Sequence, residues 1–202
     1  MGVSLKCTCG QVRGRVHDTS SSTFGHRIIC YCDDCQALAQ FLGRPELVDA
    51  IGGSDIFQTA IGNVELTLGR EHIRCVRLGP KGMFRWYTDC CKSPLGNTLG
   101  PGVPFVGMPS NLVDRGEVSK ELDALLGPVR WTHLAKFAKG GLPSGASARP
   151  SFAMLARIVR LLLTWKLTGK AWPSPFFDAG TRAPVVEPKV LTASEREALR
   201  SS

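Results

Sequence analysis

No stretch of about 18 uncharged apolar residues occurs in this 202-residue chain, so no membrane-spanning helix is expected. The N-terminus, Met1-Gly2-Val3-Ser4-Leu5-Lys6, lacks the basic region and apolar run of a signal peptide. Lys6 stands where N-myristoylation needs Ser or Thr. Eight cysteines are too few for a disulfide scaffold of this length. Without an export signal the expected location is cytoplasmic, a reducing setting that favours metal ligation over disulfides. Residues 1–128 carry no basic stripe interleaved with aromatics, which disfavours nucleic acid as a partner. Only four histidines are present, His17, His26, His72 and His133, and none has a C-x-x-C-type relation to a thiol. Each reads first as a surface or capping residue. His26, four residues before Cys30, is the best spare ligand or proton carrier.

What the chain does have is clustered cysteine. Cys30-Tyr31-Cys32-Asp33-Asp34-Cys35 puts three thiols within six residues. Cys7-Thr8-Cys9-Gly10 lies upstream and Cys90-Cys91 downstream. Free cysteine packs well as a small hydrophobe, but scattered burial would not group the thiols in this way. Metal ligation is therefore the expected role of these seven. Cys75, between Arg74 and Val76 in a strand pattern, is expected to be an inward-facing packing residue.

An apolar share of 43% suits a globular protein with one core, or one core and an appendage. The charge is unevenly placed. Residues 1–128 hold 13 Lys+Arg and 13 Asp+Glu, whereas residues 129–202 hold 12 and 4. The whole excess of +8 belongs to the last third, and Gly127-Pro128 is a turn signal beside the step. Two regions are expected, a β domain over 1–128 and a basic, helical and Pro-rich extension over 129–202.

Short strand patterns fill the first region: Ser4 to Lys6, Gln11 to Val16, Arg27 to Ile29, Asp55 to Thr59, Val64 to Leu68, Ile73 to Leu78 and Met83 to Thr88. Another strand is expected beyond Ser93, and one over Phe105 to Met108. Their spacing predicts a mainly β, small antiparallel fold. Asp34 to Leu42 is expected to form a short helix with Asp33 or Asp34 as N-cap, and Pro45 to Ala50 a second helical scrap or turn. In the extension, Gly140 to Pro150 reads as a linker. Ser151 caps a helix running to about Thr168, with Gly169 as its stop. Apolar residues cover more than one face of that helix, so it should pack on the β domain or on a second copy in a homo-oligomer. The sharper alternative is an anionic membrane interface. Ser194 to Glu197 offers a capping box for a last helix.

Taken in order, Cys7-x-Cys9-Gly10, Cys30-x-Cys32-x-x-Cys35 and an aromatic strand into Cys91-Lys92-Ser93-Pro94-Leu95 resemble a known pattern. The pattern is that of the glutathione-dependent formaldehyde-activating enzyme and centromere protein V family: C-x-C-G, C-H-C-x-x-C, then F-C-x-x-C-G-S-P. The resemblance covers roughly residues 3–110. It implies a β-tent (Mss4-like) fold with two zinc ions, one in a closed four-thiolate site and one on the central triplet. It also implies carbon–sulfur lyase chemistry on adducts of a small thiol such as glutathione. Three protein ligands leave one position open, as catalytic zinc sites often do.

The chain departs from the family at three places. Thr88 falls on the first cysteine of the late pair, Lys92 replaces a glycine, and Tyr31 replaces a histidine. The closed site is then Cys7, Cys9, Cys90 and Cys91, or three thiolates with an outside ligand, or a packing cluster without metal. Adjacent cysteines can share an ion only on a constrained backbone, because successive side chains of a strand point to opposite faces. Asp33 and Asp34 are candidate bases near the open position, or plain helix-capping residues. Two functions follow: a zinc enzyme of thiol–carbonyl adducts, or a zinc-stabilised binding module whose basic helical tail contacts a protein, membrane or nucleic acid.

Overall fold

The computed structural model describes residues 2–19, 24–116, 121–141 and 151–200. Strands β1 (Val3–Lys6) and β2 (Arg13–Val16) form a hairpin around the first cysteine pair. Strand β3 (Gly25–Cys30) runs into helix α1 (Asp33–Leu42). Next come β4 (Ser54–Thr59), β5 (Val64–Leu68), β6 (Ile73–Arg77), β7 (Phe84–Thr88), β8 (Pro94–Thr98) and β9 (Val106–Pro109). A short helix α2 (Leu122–Leu126) precedes β10 (Val129–His133). Helix α3 (Phe152–Leu167), β11 (Lys189–Val190) and helix α4 (Ala193–Arg200) complete the described chain. The expected Gly140 to Pro150 linker falls largely outside the described residues.

The fold is mainly β. Strands β1, β2 and β5 make a three-stranded sheet, and an eight-stranded sheet runs β10-β3-β4-β9-β8-β7-β6-β11. Among the described residues, pairing is antiparallel except at two places, where β10 joins β3 and β11 joins β6 in parallel. Both exceptions come from residues beyond the charge step at Gly127-Pro128. The sheet therefore does not end where the composition changes.

The core explains why the last third is drawn in. Trp86 is fully buried, donates its indole N–H to Thr98 Oγ1 at 2.9 Å and stacks on Phe176 at 4.9 Å between ring centroids. Phe177 meets Trp86 edge-on at 5.5 Å. The Pro-rich stretch after α3 runs through turns and bends, with a bridge between Phe177 and Pro184, and it plugs two large aromatics into the β core. Burying such side chains contributes roughly 1.5–3 kcal/mol each.

Helix α3 begins where Ser151 accepts the Met154 N–H at 3.1 Å, the expected cap. Its inner face buries Met154, Leu161 and Trp165, with Trp165 and Leu161 clustered on Ala60. Helix α4 is capped two residues earlier than expected, by Thr192 rather than Ser194. Thr192 Oγ1 accepts the Glu195 N–H at 3.2 Å, and Glu195 accepts the Thr192 N–H at 2.8 Å. Ser194 is displaced from the cap because Thr192 and Glu195 already form the reciprocal T-x-x-E pair. Cys75 is buried in the main core, in the packing role expected of it.

Candidate metal centres

The first thiol group is assembled from two distant segments. After β1, a turn closes with Gly10 N–H donating to Cys7 O at 2.9 Å. Gly10 sits at φ +79°, a left-handed conformation that glycine adopts without a Cβ penalty. The turn brings the buried Cys7 and the exposed Cys9 together, and the Val12 N–H donates to Cys7 Sγ at 3.2 Å. At the other segment, Asp89 to Cys91 form a turn rather than a continued strand. The Lys92 N–H closes it on Thr88 O at 3.0 Å, with Lys92 itself at φ +55°. This bend removes the strand alternation that would send adjacent thiols to opposite faces. It also places a residue in the left-handed region at the position where the resembled pattern has glycine.

All four Sγ atoms, of Cys7, Cys9, Cys90 and Cys91, lie within 4.8 Å of one another. Individual separations are 3.6 Å for Cys7–Cys9, 4.0 Å for Cys7–Cys90, 3.4 Å for Cys9–Cys90 and 3.8 Å for Cys90–Cys91. Four sulfurs held tetrahedrally at about 2.3 Å from one zinc ion are about 3.8 Å apart. The four thiols therefore fit a zinc ion with little adjustment.

Thr88 is not a spare ligand. Its hydroxyl accepts the Ser93 N–H at 3.1 Å and lies 3.4 Å from Cys91 Sγ. Ser93 Oγ is 3.2 Å from the same sulfur and accepts the Thr8 N–H at 3.0 Å. Thr88 and Ser93 thus tie the two segments together and orient Cys91. Burial pushes the Cys91 thiol up, but hydrogen bonds from Ser93 and Thr88 outweigh it and hold it near 5.

The second group is local. Strand β3 delivers Cys30, and the chain stays extended through Cys32 before turning into α1. The cap expected from Asp33 or Asp34 is supplied by Cys32, whose Sγ accepts the Cys35 N–H at 3.3 Å. A sulfur can take this place because the first N–H groups of a helix have no partner within the helix. Cys30, Cys32 and Cys35 have their sulfurs within 4.8 Å of one another, with Cys30 and Cys35 at 3.8 Å. Hydrogen bonds from Cys30 and Cys32 hold Cys35 well below the usual thiol range, against burial and with help from Arg85. Cys30 is pushed up by its contacts with Cys32 and Cys35 and by burial.

This trio lines a cavity of about 480 Å³. Arg85, Asn97, Gln58 and His133 also line it, and Met154, Ile158 and Leu162 of α3 form part of its apolar wall. Arg85 is only 3% exposed, and donates to Asp34 Oδ2 and to Asn97 Oδ1, each at 3.3 Å. Asp34 also accepts from Arg196 and Arg200 of α4 at 3.1 Å each. Burial would raise the Asp34 carboxyl, but these guanidiniums hold it below its ordinary value. Asp34 is thus a fixed counter-ion rather than a base. Asp33 pairs with Arg200.

The histidines divide differently from expectation. His133 lies in register with Cys30 on the parallel strand β10, and the Tyr31 N–H donates to His133 O at 2.9 Å. Burial lowers its imidazole below the ordinary value, with the Cys32 charge opposing. His26, the expected spare ligand, is buried edge-on against Trp131 instead, at 5.1 Å between ring centroids. His17 pairs with Glu65 and His72 with Asp89. Nothing in local spacing links His133 or Arg85 to the triplet; only the sheet order brings them there.

No helix among the described residues is long and apolar enough to cross a membrane. A comparison with curated proteins gave no match. Among solved structures, the crystal structure of a Rhodobacter sphaeroides protein is similar at 16% identity and a TM-score of 0.42, over 64% of this chain and 99% of that one. A family model matches residues 1–188, which take in both thiol groups, β10 and α3; the chain belongs to that family, described as a family of unknown function, DUF6151.

Proposed function

We propose that this is a two-zinc protein in which Cys7, Cys9, Cys90 and Cys91 hold a structural ion and Cys30, Cys32 and Cys35 hold a reactive one. The observation that carries the reading is the difference between the two groups. Four thiols close one site, whereas three thiols border a cavity at the other. A closed quartet suits a structural ion, and a trio leaves room for an exogenous ligand.

The chemistry best suited to the cavity is addition of a small thiol, such as glutathione, to a carbonyl compound, or the reverse carbon–sulfur cleavage. In the forward direction a C–S bond forms, and the proton lost by the thiol ends on the former carbonyl oxygen. A zinc ion bound by the trio would supply Lewis-acid stabilisation of the sulfur anion. The chain's own residues do the rest. His133, kept neutral by burial, takes or returns a proton at a ring nitrogen. Arg85, fixed by Asp34 and Asn97, offsets the negative charge of three thiolates. Met154, Ile158 and Leu162 keep water from one side of the cavity.

The order of the cysteine motifs supports kinship with the formaldehyde-activating enzymes and their β-tent (Mss4-like) fold, and the thiol geometry is what that kinship requires. The alternative is a zinc-stabilised binding module without catalysis, favoured by the outward apolar face of α3. The test is turnover of the glutathione–formaldehyde adduct, with zinc content measured alongside. The Cys32→Ser variant should keep its fold and one zinc ion per chain while losing turnover. Turnover equal to that of the parent protein removes the trio from the mechanism, and absence of zinc from the parent overturns the reading altogether.

A further inference from the structure

Helix α3 has two apolar faces, and only one is covered by the described residues. The inner face carries Met154, Leu161 and Trp165 against the body of the protein. On the outer side, Phe152 is 87% exposed, Leu167 86%, Leu163 56% and Val159 51%. At about 100° per residue, Phe152, Ala156, Val159, Leu163 and Leu167 fall within about 40° of the outward direction. They form one continuous stripe along the helix. Arg160 and Lys166, both exposed, stand about 60° to either side of its centre line.

The surrounding charge has a single sign. Residues 129–177 contain eight Lys+Arg and no Asp or Glu. An apolar stripe with cations on both shoulders and no carboxylate on the helix itself, the Asp18–Lys170 pair beyond its C-terminal end being the exception to the basic surroundings, is complementary to an interface that is apolar inside and anionic at its edge. A second copy of the chain would bring the same cations against themselves across a paired helix, with no acidic residue on α3 to neutralise them. Nucleic acid would meet the cations but would leave the five apolar side chains facing phosphate. We infer that α3 lies on an anionic lipid surface, with its apolar stripe in the headgroup–acyl boundary and Arg160 and Lys166 at headgroup level. Such residues bury their stems along the apolar region and keep the charge in water. At 16 residues the helix is suited to lying in the interface rather than crossing it.

The surface is separate from the thiol sites, so it can be tested without reference to turnover. The full zinc-loaded chain is sedimented with vesicles of phosphatidylcholine alone and of phosphatidylcholine with phosphatidylglycerol. Binding is expected only to the second, with a strong decline as salt is raised. The Val159→Gln/Leu163→Gln variant changes exposed side chains only, so its thermal unfolding should match the parent, and its vesicle binding should be lost. The Arg160→Gln/Lys166→Gln variant should bind about thirtyfold more weakly, since each near-surface cation contributes roughly a fivefold factor. Absence of parent binding to anionic vesicles overturns the proposal, as does binding by the Val159→Gln/Leu163→Gln variant equal to the parent. So would a dimer in sedimentation equilibrium that this variant dissolves, which would assign the stripe to a second copy. Tighter binding to duplex DNA than to the vesicles, unchanged by the same variant, would assign the cations to nucleic acid.

Discussion

Cys9 Sγ lies 3.4 Å from Cys90 Sγ across 81 residues of chain. That contact joins the first hairpin to the turn after β7, and it makes Cys90 a member of the quartet. Replacing Cys90 by Ser should lower the zinc content from two ions per chain to one, read by metal analysis of protein purified without added metal. Because a closed zinc site contributes directly to folding, the melting temperature should fall as well. Two ions retained in the variant would mean that Cys90 is not a ligand.

Thr88 should matter without binding metal. It is fully buried, and its hydroxyl satisfies the Ser93 N–H and faces Cys91. Thr88→Val keeps the shape but leaves a buried N–H unpaired, at a cost of about 1–3 kcal/mol. Urea unfolding of the zinc-loaded protein should show that loss with two zinc ions still bound. A drop to one ion would instead place Thr88 among the ligands.

His26 gives the fold an acid-sensitive point. Burial, assisted by Arg157 and Arg130 and opposed by the neighbouring Gln58 side chain, lowers its imidazole from 6.5 to about 4. Between those values the unfolded chain binds the proton that the folded chain refuses. Stability from this group is therefore full above 6.5 and is lost as the pH falls towards 4, by about 3 kcal/mol in total. Thiolate protonation and zinc release also act in acid, so the comparison is with His26→Leu. The difference in unfolding free energy between parent and variant should shift in favour of the variant by that amount across the window. Parallel pH profiles for the two would contradict the assignment.

The two faces of α3 should respond differently. Trp165 is buried on Ala60 beside Leu161, and Trp165→Ala should cost about 3–5 kcal/mol through the cavity it leaves. Leu163 points outward, and Leu163→Ala should change stability by no more than about 0.5 kcal/mol. Thermal unfolding of the two variants side by side measures the contrast. Comparable losses would mean that both faces are covered in solution.

Most strands could be read from the chain, because each is a short alternating or apolar run bounded by Gly, Pro or Asn. The local triplet was legible for a similar reason, since Cys30, Cys32 and Cys35 need only a strand end and the first turn of a helix to meet. The N-cap was misread because a thiol is a rarer cap than a carboxylate, and Asp33 and Asp34 stand beside it with the commoner chemistry. Phe176 and Phe177 gave no sign of their role. A Pro-rich segment has no period from which burial could be inferred.

The sequence by itself determined which residues could carry chemistry: two groups of thiols, at spacings that local turns can fold around an ion. It also determined the basic bias of residues 129–202 and the cap of α3. Tertiary structure decided which distant groups complete each site. Cys90 could join the quartet only because the turn at Asp89 to Cys91 breaks the strand alternation. His133 and Arg85 reach the triplet only through pairings of β10 with β3 and of β7 within the larger sheet. Local pattern reports the direction of a side chain relative to its own element; which other element it then meets is settled by sheet order, and that order is fixed by burial across the whole chain.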